Sequence, residues 1–281
     1  MRILKLQPLA QGMSGADVLL WQKFLTQVGF PAGKLDCQFG PTAAKQSKAY
    51  QSSVGLPTAD GIVDGSTVER ARQDGFQPPT IMGFDTNTSC EKLADCLHSA
   101  GMEFVVRYYS KFKSKVLTRT EALALSTAGF DLVAVFENDA NIANFTGITG
   151  TPDANTALAC ATAVGQPNGT GIYFAVDFPV TKKQVSGQIT DYFQAVNAAL
   201  SSDGREFRVG VYGSGIACQM LQDAGLATLT WTSQSTSFLG TAEFCLRANM
   251  AQSNPTRTIC GKLSIDDNVA LTADFGAFRV S

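Results

Sequence analysis

A chain of 281 residues, 44% hydrophobic and 16% charged, is long enough for one or two globular domains with a real core. With 22 Lys and Arg against 24 Asp and Glu, its formal charge is −2, which offers no electrostatic footprint for DNA, RNA or an acidic membrane. No stretch approaches the roughly 18–20 apolar residues of a membrane span, and the apolar run in MRILKLQPLAQGMSG is too short for a secretory signal peptide.

Residues 1–75 read as a small three-helix bundle. SGADVLLWQKFLTQVGF offers Ser14 as a cap, places Val18, Trp21, Leu25 and Val28 at helical spacing, and stops at Gly29. DCQFGPTAAKQSKAYQSSVGL is a turn and a second helix; DGIVDGSTVERARQ is a turn and a third. The two turns, Asp36 to Gly40 and Asp60 to Asp64, resemble each other. Trp21 and Tyr50 are expected in the core. Pro78-Pro79 marks a stiff linker and sets the expected boundary between domains 1–75 and 80–281.

The first region resembles the peptidoglycan-binding domain 1 family. The matching residues are Gly12, Val18, Gln22, Leu25, Gly29, Asp36, Phe39-Gly40-Pro41, Tyr50-Gln51, Gly55-Leu56, Asp60-Gly61-Ile62-Val63 and Thr67. Cys37 and Asp64 stand where that pattern has glycine. The resemblance implies binding to the bacterial cell wall, with peptidoglycan as partner.

The second region alternates strand and helix. Strands are expected at 81–86, 104–109, 132–138, 171–177, 208–214, 227–233, 244–250 and 263–271. Five helices are expected between them, beginning at CEKLADCLHSAG, TRTEALALSTAG, DANTALACATAVG, TKKQVSGQITDYF and SGIACQMLQDAG. Thr118 with Glu121 and Thr181 with Gln184 have capping-box spacing. Residues 234–243 and 251–262 are too polar or too short for good helices. The expected fold is α/β: an irregular TIM-like (β/α) barrel of eight strands and about five helices, with an open doubly wound sheet as the competitor.

GIYFAVDFP, residues 171–179, ends a strand that reads as buried on both faces with a carboxylate. A lone buried charge is costly, so Asp177 needs company. Other strand ends supply it: Asp85 on the first, Glu137 on the third, Asp266 and Asp267 on the eighth. At the mouth of a barrel these carboxylates would converge, with Arg107, Tyr108, Tyr212 and Trp231 as candidate substrate-binding residues. Clustered carboxylates with aromatic faces suit glycoside hydrolysis, in which one carboxyl protonates the leaving oxygen and a second stabilises, attacks or activates water.

These residues carry a second resemblance. Gly83-Phe84-Asp85, Arg107-Tyr108, Phe136-Glu137, Tyr173 to Asp177, Val211-Tyr212-Gly213, Trp231 and Asp266-Asp267-Asn268 resemble the glycoside hydrolase-like family known as domain of unknown function 1906. That family is similar to family 25 lysozymes, which have an irregular barrel of eight strands and five helices. The resemblance implies a lysozyme-like or muramidase-like peptidoglycan hydrolase. Family 25 enzymes carry Asp-x-Glu at the end of strand four, whereas this chain has Asp177-Phe178-Pro179. Glu137 is then the expected acid, Asp177 the nucleophile or stabiliser, and Asp85 and Asp266 position substrate or tune the pair. The alternative is a barrel that grips peptidoglycan without cutting it.

The seven cysteines show no C-x-x-C, and buried thiols or one or two disulfides are both open. His98 is the single histidine, which disfavours a zinc peptidase or a Cys-His hydrolase. No metal or organic cofactor is implied. The implied substrate lies in the periplasm or the extracellular wall, so export by a non-classical route is expected. The chain would be either a phage-type endolysin or an injected bacteriolytic effector, the latter implying an immunity protein as partner.

Overall fold

The computed structural model describes residues 7–202, 204 and 206–281. Residues 1–6, on which the reading against a signal peptide partly rests, lie outside them. Three helices form the N-terminal bundle: α1 (Ala16–Gln27), α2 (Pro41–Ser53) and α3 (Gly65–Gln73). Val18, Trp21 and Leu25 of α1 are fully buried, and Trp21 packs edge-on against Tyr50 and Phe76. The cap expected at Ser14 is not used. Gly15 holds the N-cap position without a side-chain bond, and Ser14 pairs through its backbone with Asn254 instead. Asp64 does cap α3, accepting from the Thr67 amide at 2.8 Å.

A buried glutamine holds each of the two similar turns. Gln22 donates to the carbonyls of Lys34 and Gln38 and accepts from the Asp36 amide. Gln51 donates to the Ile62 carbonyl and accepts from the Gly61 amide. A single helix residue thus satisfies the inward backbone groups of a tight turn that has no ladder of its own.

The second region is a closed barrel in chain order: β1 (Ile81–Asp85), β2 (Phe104–Tyr109), β3 (Asp131–Phe136), β4 (Gly171–Val176), β5 (Arg208–Gly213), β6 (Leu229–Thr232), β7 (Met250–Ile259) and β8 (Leu263–Ala270). The closure removes the open-sheet alternative. Neighbours pair in parallel from β1 to β7, while β8 is antiparallel to both β7 and β1.

The seventh strand differs from expectation. Residues 244–250 hold the end of a short helix, α10 (Thr241–Phe244), and a turn, where Phe244 and Cys245 are buried. The strand is the polar segment after them. It forms because β8 supplies an antiparallel partner from Met250↔Ala270 to Ile259↔Leu263, with an irregularity between Ser253 and Arg257. Ladder bonds need no apolar side chains, so hydropathy gives no sign of it.

The five expected barrel helices are present as α4 (Ala94–Ser99), α5 (Arg119–Thr127), α6 (Gly147–Val164), a fourth split at Gly187 into α7 (Lys182–Gln184) and α8 (Thr190–Ser202), and α9 (Gly215–Asp223), with α10 in addition. Thr181 and Gln184 form the full capping box. Thr118 caps α5, but Glu121 turns its carboxylate to Arg107 instead of closing the box. Cys96 and Cys260 form a disulfide between α4 and the β7–β8 turn. No helix among the described residues is long and apolar enough to cross a membrane.

The bundle docks on the outer face of β7 and β8. Ser14 and Asn254 exchange two backbone bonds, of 3.1 and 2.8 Å. Gly15 allows this approach: it has φ +155°, and a Cβ there would lie 2.4 Å from the Ser253 hydroxyl. Ala16, Leu19 and Cys37 pack on Met82, Cys245, Ala251 and Val269.

Candidate active site

The barrel interior is filled by inward side chains at alternate positions: Phe104 and Val106 on β2, Val133 and Val135 on β3, Tyr173 and Ala175 on β4, Leu229 and Trp231 on β6, Met250 on β7. Two residues further on, the same faces reach the mouth. Val106 is followed by Tyr108, Val135 by Glu137, Ala175 by Asp177, Trp231 by Ser233, and Met250 by Gln252. Asp85 comes from β1. Asp266 reaches this end because β8 runs the other way, opposite Asp85 in register. Asp85, Tyr108, Glu137, Asp177, Tyr212, Trp231 and Asp266 all line one cleft of roughly 580 Å³.

Arg107 is not among them. It neighbours Tyr108 on a strand, so it points to the opposite face. There it is 1% exposed and forms a two-pronged ion pair with Glu121, at 2.9 and 3.1 Å. It also donates to the carbonyls of Thr86 and Lys115. Asp267 likewise faces outward and pairs with Arg257.

The floor is a hydrogen-bonded chain. Trp231 Nε1 donates to Asn268 at 2.7 Å, and Asn268 donates to Asp85 Oδ2 at 2.8 Å. Gln252 donates to the same oxygen at 2.7 Å and accepts from Tyr212 at 2.8 Å. Asp85 is 4% exposed. Burial and then the Asp266 charge push its carboxyl up to about 7, against the opposing pull of these bonds. Burial, then the charges of Glu137 and Asp266, raise Asp177. Burial also raises Asp266, which Thr256 hydrogen-bonds. Tyr108 and Tyr212 are raised well above the usual phenol range, by burial first and then by the surrounding carboxylates, so both remain hydroxyl donors. Trp231, 1% exposed and 4.4 Å from Tyr212, is part of the floor. Tyr108 is the more open aromatic.

Glu137 has a cation against it. Lys115 Nζ lies 2.9 Å from its Oε2 and 4.9 Å from the centre of the Tyr108 ring. Beyond Glu137 a second pocket of roughly 540 Å³ shares Glu137 and Ala175 with the first and adds Asn138, Asp153 and Tyr192. Asp153 accepts there from Asn138 and Tyr192, both at 3.0 Å. Lys115, Gln252, Ser233 and Gln234 were not evident as site residues in the sequence. The alternation past Met250 and Trp231 would have indicated Gln252 and Ser233; nothing local indicates Lys115.

Residues 95–270, well over half of the chain, match the Rv2525c-like, glycoside hydrolase-like domain. The chain belongs to that family. Residues 14–70 match the putative peptidoglycan binding domain, so the molecule couples a wall-binding type of module to a glycoside hydrolase-like barrel. The uncharacterized protein YbfG of Bacillus subtilis (strain 168) is 29% identical over 273 residues, covering 90% of this chain and 37% of that protein. The uncharacterized protein FadG of the same strain is 26% identical over 199 residues, 67% of this chain and 34% of that protein. The chain therefore spans about a third of the length of the curated relatives it matches. The crystal structure of the Mycobacterium tuberculosis Tat-secreted protein Rv2525c with L-tartrate superposes with a TM-score of 0.61 at 21% identity, over 70% of this chain and 98% of that one. At that identity the likeness establishes the fold.

Proposed function

We propose that the chain is a peptidoglycan glycosidase that acts at the cell wall, held to its substrate by the N-terminal bundle. The observation that carries this reading is the meeting of four carboxyl groups from four strands around Tyr108 in one open cleft. Their environments differ, and such differences separate acid from base roles. Asp177, raised by burial and by two neighbouring charges, suits the proton donor to the leaving oxygen. Glu137, paired with Lys115, suits the charged partner that stabilises the anomeric centre, attacks it or activates water. This reverses the roles expected from the sequence, where Glu137 replaces the missing acid. Asp85 and Asp266 form the floor that sustains the charge imbalance. The pocket beyond Glu137 would hold the adjoining unit of the glycan strand.

The place of the family 25 acid is Pro179, and Phe178 before it packs on Phe145 at 5.0 Å. This supports the second reading, a barrel that binds glycan without cutting it. Wall location follows from either reading. The pairing of the two domains supports delivery either as an endolysin or as an effector with an immunity partner.

The deciding test is digestion of purified sacculi by wild type, Asp177→Asn and Glu137→Gln, with products read by mass spectrometry. New reducing ends from wild type, reduced about 10³-fold or more in both variants, are expected. Sacculi bound but uncut by folded wild type would overturn the hydrolase reading and leave the binding one.

A further inference from the structure

Cys37 and Cys245 meet where the bundle docks on the barrel. Their sulfurs are 2.8 Å apart, inside ordinary van der Waals contact, although 208 residues separate them in the chain. They are 1% and 3% exposed. The shell around them is apolar, with Ala16 and Leu19 on one side and Met82, Ala251 and Val269 on the other.

The backbone supplies an independent observation. Cys37 has φ +62°, and the equivalent position of the second turn is Gly61, with φ +90°. That conformation is disfavoured for any residue with a Cβ. Among the described residues, only Cys37 and Cys260 are non-glycine residues with positive φ, and Cys260 is already bonded to Cys96. A cysteine thus occupies a turn position whose backbone favours glycine, and there its sulfur touches one from the other domain.

We propose that Cys37 and Cys245 are a second disulfide site, one that fastens the bundle to the barrel covalently. The bond forms by exchange with a disulfide-bearing oxidant, either an oxidised dithiol oxidoreductase or a small disulfide. One cysteine thiolate attacks a sulfur of that disulfide and expels a thiolate. The second cysteine thiolate then attacks the protein-borne sulfur of the mixed disulfide and expels the other. The protein loses two protons and two electrons, and the oxidant is reduced to two thiols. In the docked state the hydrogen bond that the Cys37 thiol donates to Cys245, together with burial, raises that thiol far above its usual range, and the thiolate is the nucleophile. Exchange therefore proceeds as the two surfaces come together in folding or open transiently. Once closed, the bond adds to the polar ties Ser14–Asn254 and Asp17–Ser253 and gives the cleft a fixed direction relative to the bundle.

The test uses the full chain, refolded from urea in a couple of oxidised and reduced glutathione, alkylated in denaturant and digested without reduction. A crosslinked peptide holding Cys37 and Cys245 is expected beside that of Cys96 and Cys260. Full alkylation of Cys37 and Cys245 while Cys96–Cys260 is intact would overturn the proposal. Cys37→Gly provides a second readout, because it also relieves the backbone. Its melting temperature is expected to fall by roughly 5 °C against wild type in the oxidised sample and to equal or exceed wild type under reduction. A variant at least as stable as wild type in both conditions would count equally against the bond.

Discussion

The bundle and the barrel bury polar groups in opposite ways. In the bundle the buried polar side chains find complementary partners: Gln22 and Gln51 answer their turns, and Ser47 accepts from Trp21. At the barrel mouth the carboxyl groups oppose one another: buried Asp85 and the more open Asp177 and Asp266 are each raised by desolvation and by a neighbouring charge. The first arrangement serves the fold. The second costs stability, and perturbed carboxyls gathered in an open cleft are what the proposed function draws on. Within the barrel the contrast recurs one residue apart, as Arg107 is fully paired behind the sheet and Tyr108 faces the carboxyls.

The contrast can be broken most severely behind the sheet. Arg107→Ala strands Glu121 as a buried charge and is expected to destabilise the barrel by about 3–5 kcal/mol, measured by urea unfolding. Loss of cleavage by a still-folded Arg107→Ala would instead give Arg107 a role beyond structure. A pH series sharpens the comparison next. Asp85 has a folded value of about 7 against an ordinary 3.8, so its protonated form favours the native state. Its contribution is full below pH 3.8 and disappears as pH rises through about 7, a loss of a few kcal/mol. Asp17, half-buried at the domain interface and raised to about 6, acts in the same direction. Asp85→Asn is expected to flatten the barrel's stability between about pH 4 and 7; an unchanged slope would remove Asp85 as the cause. The smallest effect is in the bundle. Gln22→Ala leaves turn groups unanswered and costs about 1–3 kcal/mol, seen as earlier melting of the bundle and weaker sacculus binding with cleavage of soluble glycan unchanged.

Much of this was legible in the sequence because periodicity reports burial. The inward run Val133, Val135, Glu137 and the run Tyr173, Ala175, Asp177 place their carboxyls by arithmetic. The same arithmetic excludes Arg107 once Tyr108 is placed inward. β7 was illegible because its polar half is held by backbone pairing with β8. Gln252, whose amide bonds Asp85, lies past the expected end of that strand and is reached only by continuing the alternation from Met250. Lys115 is brought to Glu137 by a loop, and loops carry no period.

The pairing that closes the barrel joins its first strand to its last, and it sets Asp85 opposite Asp266. Contacts of such long sequence separation slow folding, and like charges directly opposite oppose their formation. Because the Asp85 carboxyl is raised in the folded barrel, protonation favours the paired seam. Folding of the barrel is expected to accelerate as the solution is made mildly acidic, so that a carboxyl pair proposed for the site's chemistry also acts as a latch of the fold.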